Sequence, residues 1–295
     1  MSTKIIANET DLPGLYNSAD QASLRAQSAY FLGLAIYLVL LTAAAYVSYE
    51  WPTDPQGTLA SAALFLITLG ILIALKVMRP DDIWYNGRAV AESVKTRSWR
   101  WMMRAEPYDS MASHEIVSKE FINDLKSILS QNKSLSHELN TAKEVLEPIS
   151  TKMREIRDLP FSERLEIYKE QRINNQATWY AKKSFLNKRR GRQWFWVSVA
   201  LHSTAIGMLL YRIKNPTFSL PVEVVATAAG AVLTWLQAKK HGELNSSYAL
   251  AAHEIMLIKG EALSVKDDRE FSEFVIASES AFSREHTQWT ARKTD

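Results

Sequence analysis

Four stretches of the chain are nearly free of charge. Residues 30–47, "YFLGLAIYLVLLTAAAYV", and 59–75, "LASAALFLITLGILIAL", contain no charged side chain. At a rise of ~1.5 Å per residue, each can cross most of a ~30 Å hydrocarbon layer. Only the turn-rich "SYEWPTDPQGT" separates them, so the pair predicts a helical hairpin. The second pair is less apolar. Residues 194–211 include Ser198, His202, Ser203 and Thr204, and 222–238, "VEVVATAAGAVLTWLQA", are short and include Glu223. Pro216 and Pro221 punctuate the link, with Pro221 standing where a helix can open. Runs of this length also fit buried helices of a water-soluble core.

Charge placement favours the bilayer. The first link carries Glu50 and Asp54 and no Lys or Arg, and the second carries only Arg212 and Lys214. The opposite flanks hold Lys76, Arg79, Arg88, Lys95, Arg97, Arg100 and Arg104, then Lys188, Arg189, Arg190 and Arg192, then Lys239 and Lys240. An excess of cations on one side marks the cytoplasmic side of a membrane protein. Both termini are therefore expected in the cytoplasm and both links outside. The stretch "NKRRGRQWFW" then reads as an interface anchor, with cations at the anionic leaflet and Trp194 and Trp196 at headgroup depth. Basic residues interleaved with aromatics also occur in nucleic-acid binders, but no recognised binding module accompanies them here.

Outside these runs the pattern is helical throughout. Phe121, Leu125, Ile128, Asn132, Leu135, Leu139, Ala142 and Leu146 recur at three–four spacing, a heptad seam with Asn132 at a core position. Leu244, Tyr248, Ala251, Ile255, Ile258, Ala262 and Val265 form a second seam. Such seams pack within one chain or zip protomers together, and spacing alone leaves both open. Each hairpin shares one plan: a polar lead-in helix, two crossings and a long amphipathic exit helix. If those exit helices run unbroken, Glu92 and Glu254 both lie ~25 Å beyond their crossings.

Composition mainly excludes. The 295 residues include no cysteine, which removes disulfides, thiolate metal sites and thiol nucleophiles. A net charge of +3 is too small to imply a polyanion partner. No signal-peptide pattern opens the chain. No phosphate-binding glycine loop or H-E-x-x-H pair is present, so neither an enzyme nor a bound cofactor or metal is expected.

Two longer motifs are more specific. "DLPGLYNSADQASLRAQSAYF", followed by "WYNGRAVAESVKTRSWRWMMRAEPY", resembles one subgroup of the SLATT family. "LPFSERLEIYKEQRINNQATWYAKKSFLNKR" resembles another. SLATT domains are two-transmembrane modules of bacterial conflict systems, and tandem pairs are typical of them. The resemblance implies an oligomeric membrane effector, in the bacterial plasma membrane, that forms or gates a pore on an upstream signal, a nucleotide among the candidates. These residues show no sensor, Toll-like or nuclease pattern, so a trigger is expected to act on the cytoplasmic helices or to arrive through a partner. The rival reading is a non-conducting membrane scaffold whose cytoplasmic bundle recruits or senses a partner.

The expected fold is an all-α integral membrane protein: two transmembrane hairpins, four crossings, and long cytoplasmic amphipathic or coiled-coil helices. A first module, residues 1–147, holds crossings at about 30–47 and 58–77 and helices at about 81–106 and 109–147. A second, 148–295, holds a lead-in helix at about 161–192, crossings at about 194–211 and 222–238, and helices at about 239–265 and 268–292. Candidate helix-packing or oligomer residues are Asn132 and the small-residue stripe Ala226, Gly230 and Thr234. His202 is an ionisable group within a crossing, where such groups usually face a bundle interior or a water path. Arg88, Glu92, Lys95 and Glu254 are candidates for a cytoplasmic latch, although i, i+4 charges are commonly plain helix stabilisers. Trp84, Trp99 and Trp101 fit packing better than a nucleotide-stacking platform.

Overall fold

The computed structural model describes residues 9–109, 113–135, 137–139 and 147–291, which are helical with no strand among them. Helix α1 spans Gly14–Glu50, α2 Pro55–Met78, α3 Pro80–Met102, α4 His114–Gln131, α5 Thr151–Asp158 and α6 Phe161–Ile167. Then come α7 Asn175–Lys214, α8 Val222–Lys239, α9 His241–Glu261 and α10 Asp268–Ala291. A π-helical segment, Tyr168–Asn174, joins α6 to α7.

The four apolar runs fall inside α1, α2, α7 and α8. Asp54 opens α2 by accepting the Gly57 N–H at 2.8 Å, with Pro55 supplying a first helical residue that has no N–H to satisfy. Each exit helix is separated from its crossing by a break, so the condition of an unbroken rod is not met. Arg79 closes α2 at φ 45° and Lys240 closes α8 at φ 47°, both left-handed, and a new helix starts at the next residue. A non-glycine residue in that region costs roughly 1–2 kcal/mol. The two halves thus place the same cationic joint at the same point. The unbroken rods that would set Glu92 and Glu254 at ~25 Å are absent.

The chain folds into two compact units of interleaved segments. The apolar unit is Gln27–Pro80 with Lys183–Ser246. Within it, the Ser48 and Ser61 hydroxyls meet at 2.8 Å, and a Cβ at Gly33 would meet Leu75, so α1 and α2 run antiparallel. The Trp194 and Trp235 rings lie 6.2 Å apart, and Ser184 donates to Asn245 Oδ1 at 3.0 Å, so α7 and α8, with the first turn of α9, run antiparallel too. Helix α1 also borders α8. Tyr49 donates to the Ser219 carbonyl at 2.9 Å near the turns, and Phe31 meets the Trp235 ring at 5.9 Å further along. Both turns therefore lie at one end of this unit.

The polar unit is Met1–Ala26, Asp81–Lys182 and Ser247–Asp295. Trp101, Tyr108, Phe121, Met153, Tyr168 and Phe271 fill its core. Both heptad seams feed that core from within the chain. Phe121, Leu125 and Leu135 of the first, and Ile255 and Ala262 of the second, are buried there. The first seam is interrupted: α4 ends at Gln131, and Asn132 closes it with its side-chain amide on the Ile128 carbonyl at 2.8 Å. The helix expected through residue 147 is therefore shorter, because Asn132 bonds locally to backbone instead of across a seam. Ala142 and Leu146 lie outside the described residues.

Buried arginines close the end of α3. Arg157 donates to the carbonyls of Trp101 and Tyr108, and Arg164 to that of Met103. Trp101 stands in the last turn of α3, where its carbonyl also accepts the Arg104 N–H at 3.3 Å. Met103 follows the helix directly and Tyr108 lies in the loop beyond; cations at a helix C-terminus are favoured. Burial, with Arg104 and Arg164 nearby, pushes the Arg157 guanidinium down to about 10.

Candidate functional site

The most distinctive surface belongs to the apolar unit. Three helical stretches, Gly14–Glu50, Pro55–Met102 and Phe161–Lys214, are long and apolar enough to cross a membrane. Of their most apolar windows only 11%, 11% and 0% is buried inside the chain. Leu59, Leu66, Val77, Trp196 and Ile213 are all more than half exposed. Each large apolar side chain left in water forgoes roughly 1.5–3 kcal/mol. The belt is therefore built for lipid or for other copies of the chain. Helix α8 is not among the three stretches, consistent with its short length and Glu223.

The predicted polar and small residues face away from their own chain. His202 is exposed, its Nδ1 2.8 Å from the Ser198 carbonyl. That oxygen only accepts, so Nδ1 is the donor. Ala226, Gly230 and Thr234 are exposed, a Cβ at Gly230 meets nothing within 4 Å, and Thr234 bonds back to the Gly230 carbonyl. Within one chain, neither His202 nor this stripe mediates helix packing. Lys188, Arg189, Arg190 and Arg192 are exposed, as is Trp196, whereas Trp194 is half-buried against Trp235.

The predicted latch forms in part. Arg88 pairs with Glu92 at 2.6 Å and with Asp20 of α1 at 3.1 Å. Burial opposes the Arg88 charge, but Glu92 and then Asp20 outweigh it and raise the group. Asp20 is itself raised, burial and the nearby Glu9 and Glu92 prevailing over Arg88. Lys95 pairs with Glu9 at 2.5 Å and lies over the Tyr16 ring. Close approach makes this possible: a Cβ at Gly87 would stand 3.0 Å from the Ala19 carbonyl and 3.1 Å from Ser23. Glu254 does not join. It is exposed and makes no ion pair among the described residues.

A deeper cluster escaped the sequence reading. Glu279 of α10 takes two hydrogen bonds from Arg172, at 2.8 and 2.7 Å, one from Tyr168 at 2.9 Å and one from Thr96 at 3.0 Å. Arg172 and Glu279 are 1% and 0% exposed. Burial opposes the Arg172 charge and Glu279 restores it, so the guanidinium titrates above its usual range. Burial and Glu279 together raise Tyr168. Tyr168 and Arg172 both stand on the π-helical segment, a geometry that occurs mostly as single turns inside α-helices and frequently at functional sites. The available signal was an acid on the apolar stripe of Val275 and Phe282, and arginines 157, 164 and 172 recurring among Ile156, Ile167 and Ile173. Trp99 and Trp101 are core residues, as expected of packing. No group of three or more metal-ligating side chains occurs among the described residues.

An all-helical chain with an uncovered apolar belt and a charged helical unit is the architecture of a membrane protein. Residues 13–165 match SMODS and SLOG-associating 2TM effector domain 3, and residues 168–289 match SMODS and SLOG-associating 2TM effector domain 1. The chain belongs to this family, as a tandem of two such domains, and these are two-transmembrane effector domains linked to conflict and defence systems. No curated protein and no solved structure matches it.

Proposed function

We propose that the chain is a four-crossing effector of a bacterial defence or self-killing system, acting in the plasma membrane with both termini in the cytoplasm. The crossings lie in α1, α2, α7 and α8, and copies assemble into a pore that opens on an upstream signal. The Tyr49–Ser219 hydrogen bond is the observation that carries this topology. By setting both turns at one end of the apolar unit, it supports two hairpins inserted the same way round. The cation-rich ends then share the inner side. The outward-facing His202, Ser203 and Thr204, with the small stripe on α8, supply weakly polar surface for other copies to meet. The charged rib of α3 and the Arg172–Glu279 pair hold the resting arrangement, and a signal acts by favouring another one. The chain works without a cofactor and is not an enzyme.

Exposed Leu250, Met256 and Leu257 on α9 favour the second reading, a non-conducting scaffold that recruits a partner through the polar unit. Planar bilayers containing the purified chain separate the two. Stepwise conductance in the presence of the cognate signal supports the pore. A membrane that stays electrically silent under every condition that activates cells removes it.

A further inference from the structure

At the end of the apolar unit away from the turns, Lys240 pairs with Glu243 at 3.9 Å, whereas Arg190 and Lys239 make no ion pair with any described residue. Lys239, the last residue of α8, sets its Nζ 3.2 Å from the centre of the Phe31 ring and 4.8 Å from that of Trp235. Trp194 lies against the far partner of this pair, 6.2 Å from Trp235, so the aromatic floor is built from α1, α7 and α8 together. Arg190 of α7 is close enough for its charge to act on both Lys239 and His241.

Local packing enforces this crowding. A Cβ at Gly191 would come within 3.2 Å of the His241 Cβ, so glycine lets α7 approach the start of α9 closely. Asn187 donates its amide to the Lys183 carbonyl at 2.8 Å, which turns Oδ1 towards His241 Nδ1, also at 2.8 Å. His241 is thereby fixed in place, and burial, then Lys239 and Arg190, lowers its pKa. It adds no negative charge. Neither Lys239 nor Arg190 makes a hydrogen bond or ion pair with any described residue, and Lys188, Arg189 and Arg192 make no ion pair either.

Like charges brought side by side by backbone packing favour an anion from outside the chain. The floor beneath them is apolar and continuous with the exposed belt, so the fitting anion carries acyl chains. We propose that Arg190 and Lys239, above the floor formed by Phe31 and Trp235, bind the phosphodiester headgroup of an anionic phospholipid. This rests on the membrane-crossing reading of the belt. It is more specific than a general attraction to the leaflet, because it requires two named cations and one aromatic seat.

Native mass spectrometry of the detergent-solubilised full chain tests it, with phosphatidylglycerol and phosphatidylcholine of matched acyl chains as probes. Wild type is expected to retain phosphatidylglycerol about tenfold better than phosphatidylcholine. R190Q/K239Q loses that preference, and K239R keeps it. Millimolar inorganic phosphate and a short single-stranded DNA are expected to leave the lipid bound. Equal retention of the two lipids by wild type overturns the proposal, as does undiminished preference in R190Q/K239Q. Displacement by phosphate or by DNA overturns it in favour of a soluble anion or a nucleic acid. The wild-type comparison stands even if the double variant fails to fold. Release of the chain by alkaline carbonate would instead remove the membrane reading beneath it, whereas a chain that stays in the pellet with no lipid preference removes this inference alone.

Discussion

Arg172 grips Glu279 through two parallel hydrogen bonds, Nε to Oε1 at 2.8 Å and Nη2 to Oε2 at 2.7 Å, and neither side chain reaches solvent. The pair fastens the π-helical segment before α7 to the last helix, with Tyr168 and Thr96 satisfying the remaining carboxylate positions. Removing one partner of such a pair strands a buried charge, whereas replacing both with apolar groups can be neutral. E279Q or R172M is therefore expected to destabilise the polar unit by about 3–5 kcal/mol, and R172M/E279L to recover most of that loss. Thermal unfolding of the detergent-solubilised variants measures it; a double variant no better than the singles would count against the ion pair as the cause.

At Gly87, α3 passes close against α1. A β-carbon there meets the Ala19 carbonyl and the Ser23 backbone nitrogen, neither of which is a flexible tip. G87V is expected to cost about 1–3 kcal/mol by forcing the two helices apart. Faster amide exchange at residues 16–23 and 84–95, with the apolar unit unchanged, is the signature.

The Glu9–Lys95 pair sets a pH dependence with a definite sign. Burial works against the Glu9 carboxylate, but Lys95 outweighs it, so the folded carboxyl titrates below its ordinary 4.5. Its contribution is complete above pH 4.5 and fades as pH falls through the lower, folded value. Most of the carboxylate side chain is exposed, so the effect is small. Wild type is expected to melt slightly above E9Q at pH 7, and the gap to narrow as pH falls below 4.5. A gap that widens on acidification has the wrong sign.

The outward stripe on α8 separates assembly from folding. Nothing lies within 4 Å of a Cβ at Gly230, so G230L leaves the stability of the single chain within about 0.5 kcal/mol of wild type. If copies meet on this stripe, the same change shrinks the cross-linked species seen in membranes and lowers conductance. Asn132→Leu is expected to do the reverse. It loosens the end of α4, because Asn132 bonds to its own helix, and leaves assembly size alone.

Much of this architecture is legible in one dimension. The charge-free runs at 30–47 and 59–75 became α1 and α2, since a long apolar stretch satisfies its backbone only as a helix wherever water is absent. Heptad spacing correctly marked Phe121, Leu125, Ile255 and Ala262 as contact residues without saying whose contacts they were. Glu279 stayed hidden because its partners stand more than a hundred positions away, and no local rule distinguishes a buried acid from a solvated one.

Helix identity, the greasy belt and its cationic flanks follow from the order of residues alone, because they depend on periodicity and length within a few turns. The left-handed joints at Arg79 and Lys240, the alignment of the two turns through Tyr49 and Ser219, and the Arg172–Glu279 clasp were decided in three dimensions. Each depends on which distant helix arrives alongside, and that choice is made by packing summed over the whole core.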